Sequence, residues 1–359
     1  MTNYIAWFSE ISRNAGARVG GKNASLGELV QKLTPAGVRV PNGFAVTSDA
    51  YNAYLKANGL NDKLARELAR YEQDPDSLAD VGRAVRALMQ EGEMPGDISD
   101  AILAAYHKLQ DGVAAPSVAV RSSATAEDLP EASFAGQLET FLNVSGDDAL
   151  IEACRKCFAS LYTDRAISYR RYHGFAQGDV AVSVGVQRMV RSDLAASGVM
   201  FSLDTDSGFP NVVLINGAWG LGETVVQGMV DPDEFEIFKP LLADEKLTPV
   251  VRRKCGAKER KMIYAGSGPR PVKLIETTQE ERRNFVLNDQ ELLTLARWAS
   301  RIEAHYGQPM DMEWAKDGET GELFIVQARP ETVQARRDAG VPKTHRLKTE
   351  GKRIVEGAA

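Results

Sequence analysis

The chain has 359 residues, enough for one large domain or two to three modest ones. Hydrophobic residues make up 43% and charged residues 26%, an ordinary globular composition that excludes a disordered, collagen-like or low-complexity chain. With 43 basic against 49 acidic side chains the net charge is −6, which argues against nonspecific binding to nucleic acid or to an anionic membrane. Any bound anion must then be held by a few locally placed cations.

No apolar run approaches the roughly 18 to 20 residues that span a bilayer. The opening Met1-Thr2-Asn3-Tyr4-Ile5 has no basic segment followed by an apolar stretch, so a cytoplasmic protein is expected. Three cysteines cannot build a disulfide framework, which agrees with a reducing compartment. Cys154 and Cys157 form a C-x-x-C, but the second pair of a zinc site is missing. The helical pattern from Asp147 to Tyr162 puts both sulfurs on one face as small core residues.

A short apolar stretch opens the chain, followed by a glycine-rich turn at Gly20-Gly21-Lys22 and a helical pattern through Leu26, Leu29, Val30 and Leu33. Val38 to Val46 reads as a strand broken by Pro41 and Gly43, and Ser48 to Leu109 as a helical layer. Strands follow at Val118 to Val120 and Leu138 to Val144, separated by a polar loop that begins Ser122-Ser123-Ala124-Thr125. Asp147 to Tyr172 is helical. Val180, Val182, Val184 and Val186 then alternate with Ala181, Ser183, Gly185 and Gln187, the period of a strand. Val212 to Ile215 reads as a buried strand running into Gly217, Gly220 and Gly222. Asn288 and Glu291 have the spacing of a capping box for a helix with the stripe Leu292, Leu295, Ala299, Ile302 and Tyr306, ending at Gly307. The strands Met310 to Trp314 and Leu323 to Gln327 close the pattern. From Arg336 to the end seven Lys or Arg face three Asp or Glu without apolar periodicity, as in a linker or tail.

The last hairpin carries the strongest chemistry. Because side chains alternate along a strand, Asp311 and Glu313 share one face while Met310, Met312 and Trp314 share the other. Gln327 and Arg329 repeat the pattern on the second strand. Antiparallel pairing would put two acids, an amide oxygen and a guanidinium on one surface. That set fits a magnesium nucleotide, since magnesium takes hard oxygen ligands shared with phosphates and arginine meets phosphate with a planar fork. A solvated face with a surface salt bridge is the alternative.

Gly16 to Asn23 is almost a P-loop, but Asn23 replaces the Ser or Thr that would hold magnesium and no strand leads into it. What remains is a glycine-flanked Lys22 at the entrance of a helix, a reasonable anion site or else a common exposed turn. Arg121 ends an apolar strand beside small hydroxyl residues that would let a loop close over phosphates; a buried structural arginine is the other reading. Gly220-x-Gly222 is a tight strand-to-helix turn with Glu223 at its exit, not a dinucleotide fingerprint, because position 225 is Val. Gln187 and Met189 leave the alternating strand where a hinge could read an adenine edge, or where the strand simply ends. Two cations at about 4 Å from a triphosphate would each supply about 4 kcal/mol of gross attraction at an effective dielectric near 20. Local charge therefore outweighs the net charge.

Gly20-Gly21-Lys22-Asn23-Ala24-Ser25-Leu26-Gly27, Val40-Pro41-Asn42-Gly43-Phe44, Val120-Arg121-Ser122-Ser123-Ala124-Thr125-Ala126-Glu127-Asp128, Phe134-Ala135-Gly136-Gln137, Asp311-Met312-Glu313-Trp314 and Gln327-Ala328-Arg329-Pro330 occur in this order. This set resembles the nucleotide-binding part of the phosphoenolpyruvate synthase and pyruvate phosphate dikinase family, over residues 1 to about 335. The resemblance implies an α+β, ATP-grasp fold whose two lobes, 1–190 and 191–335, clamp Mg-ATP between antiparallel sheets. It implies phosphate contacts from Lys22 and Arg121, a lining of Gly136 and Thr140, and Gln187 and Met189 near the adenine. Glu313 and Gln327 would hold Mg2+, Asp311 would support them, and Arg329 would stabilise charge on the transferred group.

Family members relay phosphate through a histidine on a separate domain to pyruvate in a barrel domain. None of His107, His173, His305 or His345 stands in the Thr-Cys-His context of that histidine. The chain is therefore expected to be the N-terminal part of a longer enzyme, with 336–359 as linker and the phosphohistidine domain and barrel absent. The parent would convert ATP, pyruvate and water to phosphoenolpyruvate, AMP and phosphate, and could be a homodimer. The alternatives are the ATP module of a related dikinase or antibiotic phosphotransferase, and a non-enzymatic nucleotide sensor.

Overall fold

The computed structural model describes residues 4–109, 116–125, 138–176, 178–265 and 271–332. The first part of the chain runs β1 (Ile5–Trp7), α1 (Gly16–Glu28), β2 (Gly43–Val46), α2 (Ser48–Ala57), α3 (Asn61–Gln73), α4 (Leu78–Glu91), α5 (Gly96–Leu109), β3 (Val118–Ala124), β4 (Thr140–Val144), α6 (Asp147–Ser160), α7 (Asp164–Tyr172) and β5 (Val182–Arg188). Its five strands form one sheet in the order β1-β2-β5-β3-β4. The second part runs β6 (Ala196–Phe201), β7 (Val212–Trp219), α8 (Glu223–Val226), β8 (Asp233–Phe238), β9 (Val250–Lys254), β10 (Arg260–Tyr264), β11 (Val272–Glu276), α9 (Gln279–Arg283), α10 (Asp289–Tyr306), β12 (Met310–Lys316) and β13 (Leu323–Pro330). Six of these strands form a second sheet, β13-β12-β6-β7-β8-β9, and β10 pairs with β11. Every pairing between these strands is antiparallel, so the protein is α+β with antiparallel sheets. No helix among the described residues is long and apolar enough to cross a membrane.

The helices α2 to α7 supply one hydrophobic core against the first sheet, with Tyr54, Met89, Phe158, Val120 and Val184 wholly buried. A second core forms where α10 lies on the second sheet, joining Leu292, Leu295 and Ile302 to Met312 and Trp314. The segment from residue 6 to 45 contributes to both parts. Its strands belong to the first sheet, while Phe8, Ile11, Val19, Leu26 and Leu29 pack into the second core. The helix α1 is thus wedged between the two sheets, against β3 and β5 on one side and β13 on the other.

The capping box on α10 is present in full. The Asn288 side chain accepts from the Glu291 amide at 3.0 Å, the Glu291 carboxylate accepts from the Asn288 amide at 2.9 Å, and Gly307 closes the helix with φ 69°. Cys154 and Cys157 are both buried in α6. Gly220, with φ 86°, makes the turn between β7 and the short helix that begins at Glu223.

Two expectations need correction. The Val38 to Val46 strand begins only at Gly43, after Pro41, because proline has no amide to give to a ladder. Ser122-Ser123-Ala124 is not a loop but the continuation of β3, paired with Val184, Ser183 and Val182. The strand is buried on both faces and tolerates Ser122 because its hydroxyl bonds internally, lying 2.8 Å from Ser160 Oγ and donating to the Glu139 carbonyl at 3.2 Å, whereas the buried Ser123 Oγ has no hydrogen-bond partner among the described residues. The period-two strand has a similar logic. Val182, Val184 and Val186 fill the helical core, while Ser183 and Gly185 leave room beneath α1.

Candidate functional site

The helix α1 breaks at Gly20, where φ 72° and ψ 163° leave the helical region, and the chain re-enters the helix with Lys22 in its first turn. Three contacts pin this turn. A Cβ on Gly20 would fall 2.3 Å from Ser123 Oγ, so glycine alone permits the approach to β3. Asn23 donates to the Val19 carbonyl at 2.9 Å and to Ser183 Oγ at 3.2 Å, and its side chain fills the space left open at Gly185. Ser25 Oγ donates to the Ala328 carbonyl at 2.6 Å, tying the same helix to the last hairpin. Lys22 Nζ, half-buried, then reaches the Ser122 carbonyl at 3.3 Å, one residue beyond Arg121.

The hairpin pairs Asp311 with Arg329 and Glu313 with Gln327. Directly opposed residues place their Cβ atoms about 5 Å apart on one face, so the four polar groups converge. Met310, Met312 and Trp314 are buried on the other face, as alternation requires. Arg329 grips Asp311 through two nitrogens, at 2.8 and 2.6 Å. Burial raises the Asp311 carboxyl above its ordinary value; Arg329 opposes that shift, and the neighbouring Glu313 and Glu331 add to it.

A bulge follows Glu313: Trp314 pairs with Ile325, so Val326 has no partner across the strand. Its carbonyl accepts Arg121 Nη1 at 3.3 Å. Arg121 Nη2 lies 3.8 Å from Glu313 Oε2. A cation of the first sheet thereby meets an acid and a backbone oxygen of the second. Thr140 stands opposite Arg121 in the β3–β4 register and is exposed.

The structure therefore brings Arg121, Asp311, Glu313, Gln327 and Arg329 together, with Lys22 beside them on the carbonyl that follows Arg121. Gln187 and Met189 are not joined to this group. Gln187 is buried, its Nε2 3.4 Å from the Pro41 carbonyl, and the Met189 amide donates to the Ser117 carbonyl at 3.0 Å. Gly136 and its motif lie outside the described residues. A cavity of about 310 Å3 between α2, α3 and the start of β5 is lined by none of these residues.

Among the described residues no three His, Cys, Asp or Glu side chains gather in a way that could hold a metal. A magnesium ion bound with nucleotide does not require that many, because it keeps waters and shares phosphate oxygens. The opposed oxygens of Glu313 and Gln327 suit such an ion, whereas Asp311 is already engaged by Arg329. Sequence reasoning did not single out Asn23, Ser25 or the Val326 carbonyl as positioning groups. The first two stand inside the Gly-Gly-Lys motif; the third has no side-chain signal, since it depends on a bulge.

Residues 16–350 match the family described as pyruvate phosphate dikinase, AMP/ATP-binding domain, and the chain belongs to that family. It is 51% identical over 99% of its length to phosphoenolpyruvate synthase of Escherichia coli, covering 45% of that protein. The corresponding enzyme of Synechocystis is 50% identical over 99% of the chain, again covering 45% of the relative, and that of Pseudomonas aeruginosa is 49% identical over the whole chain, covering 46%. The chain thus spans about half the length of the curated relatives it matches.

Proposed function

We propose that this chain is the ATP-binding, phosphoryl-donating part of a phosphoenolpyruvate synthase, built as an ATP-grasp whose lobes, 1–190 and 191–335, close on Mg-ATP. The observation that carries the reading is the contact of Arg121 with Glu313 and Val326, which sets a phosphate-type cation from one sheet against the acidic hairpin of the other. In this reading Lys22 and Arg121 bind phosphates, Gly136 and Thr140 line the neighbouring strand, and Gln187 and Met189 flank the adenine. Glu313 and Gln327 hold Mg2+, which supplies charge neutralisation to the phosphates. Asp311 fixes the Arg329 fork, its Oδ2 meeting both Nε and Nη2, and Arg329 stabilises charge on the group being transferred.

The parent enzyme would pass one phosphate of ATP to a histidine on a further domain and then to pyruvate, in the cytoplasm, while water takes the other, so that ATP, pyruvate and water give phosphoenolpyruvate, AMP and phosphate. The chain described here would bind nucleotide without turning over pyruvate. Two measurements test this. Calorimetric titration should show Mg-ATP binding to the wild type and its loss in Glu313→Ala with the circular dichroism spectrum unchanged; wild-type affinity in the variant would refute the metal assignment. A phosphohistidine domain of a relative, added in trans, should become labelled from γ- or β-labelled ATP, and its failure to label while ATP binds would favour a sensor.

A further inference from the structure

Two groups that the proposed reading assigns to different ligands hold one another. Arg121, given to phosphate, has Nη2 3.8 Å from Oε2 of Glu313, given to the metal. The side chains are 17% and 25% exposed, so water and salt screen the pair less than a surface bridge. Among the described residues neither makes another ion pair, and Nη1 of the same guanidinium is fastened to the Val326 carbonyl at 3.3 Å. Gln327, across from Glu313, is neutral and cannot compete for the cation. Asp311, the other acid of the hairpin strand β12, is held by Arg329 at 2.6 Å, and Glu331 stands beside Asp311.

We propose that the Arg121–Glu313 pair is a latch on the metal site, which makes divalent-cation binding conditional on the nucleotide. A free cation meets a carboxylate already neutralised and must displace a guanidinium anchored at two points. A nucleotide changes the balance, because its phosphates offer the guanidinium a better bidentate partner than one carboxylate oxygen at this distance. Arg121 swings to the phosphates, and Glu313 is released to the cation that arrives with them. By linkage, the factor by which phosphate improves cation affinity is the factor by which the cation improves phosphate affinity. The inference rests on Glu313 being a metal ligand, as proposed above.

The sign of the predicted effect is unusual: removing a phosphate-binding arginine should strengthen metal binding in the absence of nucleotide. Mn2+ alone is titrated into the 359-residue chain and followed by the paramagnetic resonance signal of the free ion. Arg121→Gln should bind Mn2+ about fivefold more tightly than wild type. Arg121→Lys keeps the charge but cannot span Glu313 and Val326 together, so it should also bind more tightly than wild type. Wild-type or weaker affinity in Arg121→Gln overturns the latch. A gain in Arg121→Gln with none in Arg121→Lys overturns it too, because net charge alone would explain the difference. Glu313→Gln separates the latch from the reading beneath it. If Glu313→Gln loses Mn2+ while Arg121→Gln is unchanged, only the latch fails; if Glu313→Gln binds as wild type, the metal assignment fails and the latch with it. Arg121→Lys preserves the decision should Arg121→Gln prove unfolded.

Discussion

Gly20 rests directly on Ser123: a Cβ at position 20 would lie 2.3 Å from the serine Oγ and 2.4 Å from its carbonyl oxygen, at a φ of 72°. Two penalties would therefore coincide in Gly20→Ala. A side chain at φ 72° and ψ 163°, a region essentially confined to glycine, costs about 1 to 3 kcal/mol, and overpacking against a buried strand about 1 to 3 more. The expected loss is about 2 to 6 kcal/mol in denaturant unfolding. Gly16 has helical φ −51°, and a methyl group there would meet nothing within 4 Å, so Gly16→Ala should be neutral or stabilising by up to about 1 kcal/mol. Equal losses in the two variants would show that the turn is not locked by β3.

The buried ion pair of Lys258 and Asp233 organises the far edge of the second sheet. Both side chains are fully buried. The ammonium donates to Asp233, to the Gly256 carbonyl at 3.0 Å and to Cys255 Sγ at 3.3 Å. The carboxylate also accepts the Gly256 and Val286 amides, each at 2.9 Å. Asp233→Ala strands a buried cation and two amides, and should cost about 3 to 5 kcal/mol. Lys258→Met leaves the acid with its two amide donors and should cost less. In the double variant Asp233→Ala/Lys258→Met the loss should be smaller than the sum of the single losses, as measured by a double-mutant cycle. Strict additivity would show that the two groups do not act as a pair.

Lys22 lies in the first turn after the glycine break, where helix amides and an ammonium face the same region. If it serves the distal phosphates, Lys22→Ala should weaken ATP binding by roughly 10- to 100-fold, the scale of a hydrogen bond to a charged group, while AMP affinity changes little. Equal losses for ATP and AMP would place Lys22 away from those phosphates.

The hairpin and α10 are legible in the sequence because each announces itself over a few adjacent residues. Asp311 and Glu313 alternate with apolar neighbours, and Asn288 and Glu291 satisfy one another locally. The full length of β3 is not legible, because Ser122 and Ser123 look like loop residues until β5 pairs with their backbone and Ser160 and the Glu139 carbonyl bond the Ser122 hydroxyl from elsewhere in the chain. The wedge position of α1 is also hidden. Helical periodicity shows that Leu26 and Leu29 need a core, but which of two sheets provides it is decided by partners some 300 residues away, such as Ala328 for Ser25. The Val326 bulge, which turns a carbonyl toward Arg121, leaves no trace in composition or period.

The cysteines give a test of the helical core. Cys154 and Cys157 are buried in α6, and Cys255 is exposed. Burial pushes both α6 thiols up, Cys157 to about 12, with Ser122 only partly opposing the shift there. A buried thiol that resists ionisation is a poor nucleophile. Ellman's reagent at pH 8 should therefore label one thiol rapidly in the native protein and all three after denaturation. Raising the pH to 9 should leave the two α6 thiols silent. The same shift has a stability consequence. Between the ordinary thiol value of 9.0 and about 12, the folded state holds a proton at Cys157 that the unfolded state has lost. Stability should thus fall as pH rises through that window, by about 1.4 kcal/mol per unit from this thiol alone. Cys157→Ala should remove that slope, though not the slope due to other groups. Rapid labelling of two or three thiols in the native protein would mean that α6 opens readily, and that the core behind β3 and Arg121 is looser than its packing implies.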